Sequence, residues 1–76
     1  MEDIIRTITE ALVDHPERVQ VSTINGSHTS LIKLRVAKED VGKVIGRRGQ
    51  TVQSLRTILK AMSGKERKRV MLEVIE

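Results

Sequence analysis

None of the 76 residues is Phe, Trp, Tyr or Cys, and that absence constrains the chain more than any residue it contains. A domain of this size buries only about 60% of the surface its unfolded form exposes. Here no aromatic ring, disulfide or thiolate-bound zinc reinforces the core. The interior must be assembled from Ile, Leu, Val, Met and Ala, and a partner chain is one way to complete it. The same absence bears on function, because RNA-binding domains of the RRM and OB types stack bases on aromatic platforms. The length fits one domain, 1–76, and leaves no room for a second.

Periodicity assigns the elements. From Glu2 to Val13 the residues Ile4, Ile5, Ile8, Ala11 and Leu12 recur at helical spacing and predict a helix with these along one stripe. Glu2 and Asp3 sit where the helix dipole favours negative charge, and Asp14-His15-Pro16 ends the helix. Arg18–Ile24 alternates with Val19 and Val21 on one face, and Leu31–Val36 alternates with Ile32, Leu34 and Val36 on one face. Between them Asn25-Gly26-Ser27-His28 predicts a hairpin turn. A second helix is expected to begin at Ala37-Lys38-Glu39-Asp40, with the acids explained by its dipole, and to stop at Gly46. A third starts near Gln50, has Val52, Leu55, Ile58, Leu59 and Met62 on one face, and closes at Ser63-Gly64. Arg69–Ile75 alternates as a last strand, with Val70, Leu72 and Val74 inward. The expected fold class is α/β (α+β), in the order helix, strand, strand, helix, helix, strand.

Charge is unevenly spread. Residues 1–30 hold two basic and five acidic side chains, whereas residues 31–76 hold twelve basic and five acidic ones. A basic half suggests a polyanionic partner, nucleic acid before an anionic membrane surface. No apolar run approaches the roughly 20 residues that cross a membrane, and the acidic, periodic start is unlike a signal peptide. The expectation is a cytoplasmic protein.

The basic half centres on Val41-Gly42-Lys43-Val44-Ile45-Gly46-Arg47-Arg48-Gly49-Gln50-Thr51-Val52-Gln53-Ser54-Leu55. Two glycines bracket two arginines where one helix ends and the next begins. Glycine lets the backbone turn sharply and approach a ligand closely. The following helix offers backbone N–H groups and a partial positive charge. The arginines add forked donors for phosphate oxygens. Together these make an anion cradle suited to a phosphodiester backbone.

This stretch resembles the core of a KH domain, whose G-x-x-G loop clamps about four nucleotides. The element order resembles the type II arrangement. The whole chain is similar to the KhpA family of small stand-alone bacterial KH proteins, through its acidic opening, "ALVDHPERV", "LRVAKEDVGKVIGRRG" and "RVMLEVIE". The resemblance implies three helices packed on one face of a three-stranded sheet. It implies single-stranded RNA binding, with an RNA-chaperone or post-transcriptional role. It also implies a homodimer, or a heterodimer with a larger KH-containing protein of the KhpB type. By the match, Gly46, Arg47, Arg48 and Gly49 form the backbone clamp. Gly42, Val44, Ile45, Val52 and Leu55 fall where KH domains floor the base groove, and Lys43 and Gln50 flank the loop. Lys33 and Arg35 project from the strand leading in and either border the groove or face solvent.

Other readings stand beside this one. The Lys65, Arg67, Lys68, Arg69 run reads first as a solvated turn and second as an auxiliary RNA contact. His15 and His28 lie in turns with no metal-ligand spacing, so no metal or other cofactor is expected. No serine pairs with a histidine, no thiol exists, and the loop lacks a P-loop ending, so an enzyme with a small-molecule substrate is not expected. A ribosome-associated assembly factor, a protein-interaction module with a vestigial loop, and single-stranded DNA as ligand remain as alternatives.

Overall fold

The computed structural model describes residues 2–63 and 69–76. The chain runs α1 (Glu2–Leu12), β1 (Gln20–Asn25), β2 (Thr29–Arg35), α2 (Val41–Ile45), α3 (Gln50–Ser63) and β3 (Arg69–Ile75). Short 3-10 turns at Pro16–Arg18, Lys38–Asp40 and Arg47–Gly49 lead into β1, α2 and α3. The mixed α/β architecture and the order of its elements are those the sequence predicts. Gly64, expected to cap α3, and Lys65, Arg67 and Lys68 of the basic run lie outside the described residues.

The sheet has the order β1-β2-β3, with β1 and β2 antiparallel and β2 and β3 parallel. Gly26 N–H donates to the Thr29 carbonyl, which puts Ser27 and His28, and not Asn25-Gly26, at the tip of the hairpin. Strand alternation sends Ile32, Leu34 and Leu72 toward the helices, where they pack with Ile5, Val44, Val52, Leu55 and Leu59 in one aliphatic core. The other face carries Ile24, Leu31, Lys33, Arg35, Met71 and Glu73.

Both long helices depart from the expected stripes. In α1 the buried positions are Ile5 and Thr9, followed by Val13 just past the helix, while Ile4 is 41% and Leu12 is 40% exposed. The core takes the line at intervals of four residues; Ile8 is half-buried beside it and Ala11 is exposed. In α3 Val52, Leu55, Leu59 and Ser63 are buried, whereas Ile58 is 37% and Met62 41% exposed. In each case the apolar stripe is wider than the sheet beneath it covers.

Asp40 shows a second departure. Its expected role was to complement a helix dipole, but its side chain is fully buried and makes no capping bond. Instead its two carboxylate oxygens accept the backbone N–H groups of Asp14 and His15, at 3.2 and 3.0 Å. The connection after α1 is thereby pinned to the start of α2. Lys43 of α2 adds an ion pair with Asp14 of that connection. The neighbouring His15 ring lies 3.5 Å from Glu17 and 3.7 Å from Glu39, so it is less isolated than its sequence setting suggests.

Candidate nucleic-acid interface

The loop between α2 and α3 is built from backbone conformations that few residues adopt. Gly46 has φ 79° and ψ 170°, a region essentially confined to glycine. Arg48 has φ 57° and ψ 24°, and Gly49 has φ 76°. The two glycines are required for different reasons. A Cβ on Gly46 would lie 2.2 Å from Thr51 Oγ1 and 2.8 Å from Thr51 N, so close packing against the first turn of α3 excludes a side chain there. A Cβ on Gly49 would meet nothing within 4 Å, and only its positive φ argues for glycine.

Several backbone donors expected to face a ligand are already used. Gly46 N–H donates to the Gly42 carbonyl, Gly49 N–H to Gly46 and Gln50 N–H to Arg47. These bonds wind the loop into a tight turn and leave the N–H groups of Arg47 and Arg48 outside it. Both arginine side chains are exposed. The donors concentrated on the loop are therefore the two arginines, backbone and guanidinium together.

The remaining predicted residues separate into three places. Val44, Val52 and Leu55 are 0%, 5% and 2% exposed and belong to the core, so they support a groove from behind without lining it. Gly42, Lys43 and Gln50 are exposed on the loop's flanks, with Lys43 held toward Asp14. That contact keeps the Asp14 carboxyl below the usual carboxylate range and the Lys43 amine above its usual one, in both cases chiefly through their mutual hydrogen bond. Lys33 and Arg35 stand on the sheet face opposite the helices, opposite Glu73 and Ile75 of β3. The structure places them on that face, Lys33 half-buried and Arg35 exposed, and not beside the groove next to the loop.

That groove follows the edge of β3. Ile45, half-buried immediately before the loop, lines a cavity of about 630 Å³ with Arg56, Leu72 and Val74. Arg69 N–H donates to the His28 carbonyl and Val36 N–H to the Ile75 carbonyl, so odd-numbered residues of β3 direct their backbone groups to the rest of the sheet. Alternation turns the N–H and C=O groups of Val70, Leu72 and Val74 toward the open edge. Alongside, Gln53, Arg56, Thr57 and Lys60 of α3 face Arg69–Leu72 across a second cavity of about 350 Å³. Sequence reasoning missed Arg56 and this edge. The polar flank at Gln53, Arg56 and Lys60 was visible in the helical spacing, but which strand it faces follows only from the sheet order.

Among the described residues no three His, Cys, Asp or Glu side chains converge in a metal-binding group. No helix among them is long and apolar enough to cross a membrane.

Comparison with known proteins matches residues 2–74 to the family described as KhpA/KhpB, KH domain. The chain is 48% identical over 75 residues to the RNA-binding protein KhpA of Caldanaerobacter subterraneus subsp. tengcongensis, covering 99% of this chain and 100% of the relative. It is 45% identical over 75 residues to the RNA-binding protein KhpA of Clostridium acetobutylicum, with the same coverage. The Chlamydia caviae protein of that name is 40% identical over 76 residues, covering 100% of this chain and 97% of the relative. No solved structure matches the chain.

Proposed function

The chain belongs to the KhpA/KhpB family of KH domains, and from that premise we propose that it is a non-enzymatic, single-stranded RNA-binding domain whose Gly46–Gly49 loop holds the RNA backbone. One observation carries the assignment of the loop. Arg47 and Arg48 are exposed on a turn of left-handed backbone that opens beside the β3-edge groove. Phosphates would sit on the loop and bases would lie toward Ile45 and the β3 edge, read by hydrogen bonds and apolar contact instead of aromatic stacking. A cytoplasmic RNA chaperone or post-transcriptional regulator is the role this reading favours.

Fluorescence anisotropy with short single-stranded RNA tests it. Arg47→Gln/Arg48→Gln is expected to abolish most binding, while Lys33→Gln/Arg35→Gln, which loses the same charge on the opposite face, leaves it largely intact. Equal losses would replace the loop clamp with diffuse electrostatic attraction.

The surplus apolar surface of the helices supports a partner chain, either a second copy or a larger KH-containing protein. Ile4 and Leu12 on α1 and Ile58 and Met62 on α3 are all more than a third exposed. The α3 pair occupies the flank turned away from the β3 edge, so a partner seated there leaves the RNA groove open. Two linked grooves would raise RNA affinity by avidity. Sedimentation of the wild type against Leu12→Lys/Met62→Lys checks this; identical monomeric behaviour of both would remove self-association from the proposal.

A further inference from the structure

We infer that copies of this chain associate head to tail, the outer face of α1 in one copy seating on the open face of the sheet in the next. The inference stands apart from the RNA-binding reading and from a partner chain seated on α3.

The open face has an apolar centre and a basic margin. In the strand register Ile24, Leu31 and Met71 are neighbours across all three strands, turned away from the helices. Ile24 is 54% and Met71 51% exposed, and exposed apolar side chains that adjoin one another mark an interaction surface. Lys33 and Arg35 of β2 border this row on one side and Arg69 of β3 on the other. None of the three cations forms an ion pair with another described residue. Glu73, beside Lys33, is the one acid that the strands place on this face, so the surface is basic in sum.

The chain carries the matching surface on its opposite side. With Ile5 and Thr9 turned into the core, α1 presents Ile4, Ala11 and Leu12 outward, all exposed. Asp3 and Glu10 stand exposed alongside them and form no ion pair with another described residue. Arg6 is the helix's single cation, against Glu2, Asp3 and Glu10.

Charge selects the pairing. Sheet face against sheet face would bring Lys33, Arg35 and Arg69 toward their own copies, and α1 against α1 would oppose acids to acids. Each surface repels its own kind and matches the other. RNA is the poorer occupant of the open face, since the exposed centre is aliphatic and gives bases no ring to stack on. The contact is small: α1 is about 16 Å long and three strands span about 10 Å, which keeps the buried area under the ~1,200 Å² of a stable interface. Association is therefore weak. It is also open-ended, because one copy offers both surfaces and the two lie on opposite sides of the sheet. Neither surface includes the Gly46–Gly49 loop, so a row of copies keeps its loops free.

Amide NMR spectra of the wild type, diluted from about 1 mM at low salt, test this without any substitution. Signals should move on both surfaces, at Ile24, Leu31 and Met71 and at Ile4, Ala11 and Leu12. Movement on one surface only, on neither, or confined to Ile58 and Met62 overturns the inference. So does a response of Ile24, Leu31 and Met71 to short RNA but not to dilution, which would make the face a nucleic-acid surface. Sedimentation equilibrium then uses Ile58→Lys/Met62→Lys, which removes contacts through α3. Its average mass should reach at least about twice the monomer's near 1 mM and fall back at high salt. Adding Asp3→Lys/Glu10→Lys, or instead Lys33→Glu/Arg35→Glu, should leave a monomer. Combining the two pairs should restore association, because the charges again oppose each other. The inference is overturned if the parent stays monomeric, if either reversal changes nothing, or if the combination does not restore. Circular dichroism establishes that each variant is folded, and where one is not the wild-type dilution decides.

Discussion

At its N-terminal end α2 is tied down. The buried Asp40 carboxylate accepts two backbone N–H groups from the chain that leaves α1, and Lys43 pairs with Asp14 of the same segment. At its C-terminal end, past Ile45, neither arginine of the loop forms an ion pair with another described residue. Arg47 and Arg48 are exposed, three of the four loop residues have positive φ, and the turn is held by its own backbone bonds. One five-residue helix therefore joins a fixed end to a displayed end. A helix this short has little stability of its own, so its buried Val44 and the attachment at the opposite end hold it in place. Residues that support the loop and residues that meet RNA are separated along the chain, and substitutions should separate them too.

The largest expected effect is at the fixed end. Asp40→Ala removes both acceptors from a fully buried position and should cost about 3–5 kcal/mol, since each hydrogen bond to a charged group is worth roughly 1.5–3 kcal/mol. Urea denaturation measures it. The folded fraction should retain RNA affinity if the loop's shape is set locally; if affinity falls further than the folded fraction, the two ends are mechanically coupled.

At the displayed end the two glycines should differ. Gly46→Ala combines a glycine-only backbone region with a contact of 2.2 Å to Thr51 Oγ1 and should cost about 2–3 kcal/mol, or displace the loop instead. RNA affinity should fall roughly ten-fold or more, because 1.4 kcal/mol of loop distortion is a factor of ten in binding. Gly49→Ala meets no neighbour and pays only for its φ of 76°, about 1–2 kcal/mol. Denaturation and anisotropy on both variants check the order. Equal losses would mean that backbone conformation alone explains the pair and that packing against Thr51 contributes nothing.

What the sequence made legible follows the same division. The displayed loop could be read because glycine spacing and charge are local properties, and the strands because alternation is too. The helix faces could not be read fully. Ile4, Ile8, Ala11 and Leu12 satisfy helical spacing as well as Ile5 does, and only the sheet's position shows that Thr9, a polar residue, takes the buried place between Ile5 and Val13. Ile58 and Met62 share a face with Val52, Leu55 and Leu59 by spacing, yet both are more than a third exposed. Asp40 had a sufficient local explanation at a helix start, and nothing in the sequence announces a bond across 25 or 26 residues. Arg56 had no visible role until β3 proved to be an edge strand. Contacts between distant segments, whether they stabilise or recognise, are the part that composition and period do not carry.

The smallest effect separates the two attachments at the fixed end. The Lys43–Asp14 pair is exposed, and salt and solvent screen it, unlike the Asp40 bonds. The pair lowers the Asp14 pKa, so its contribution is complete above the ordinary carboxylate range, near pH 3.9, and is lost as pH falls through the depressed folded value. It raises the Lys43 pKa, so the same contribution is complete below the ordinary lysine range, near pH 10.4, and is lost as pH rises through the elevated folded value. Between roughly pH 5 and 9 it should be flat. Thermal midpoints of Lys43→Met and wild type should therefore differ by a small constant amount across that window, converge in strong acid, and converge at high salt at any pH. A gap that survives high salt would show that Lys43 acts through packing of its aliphatic stem against the connection after α1, and would move it from the screened attachments to the fixed ones.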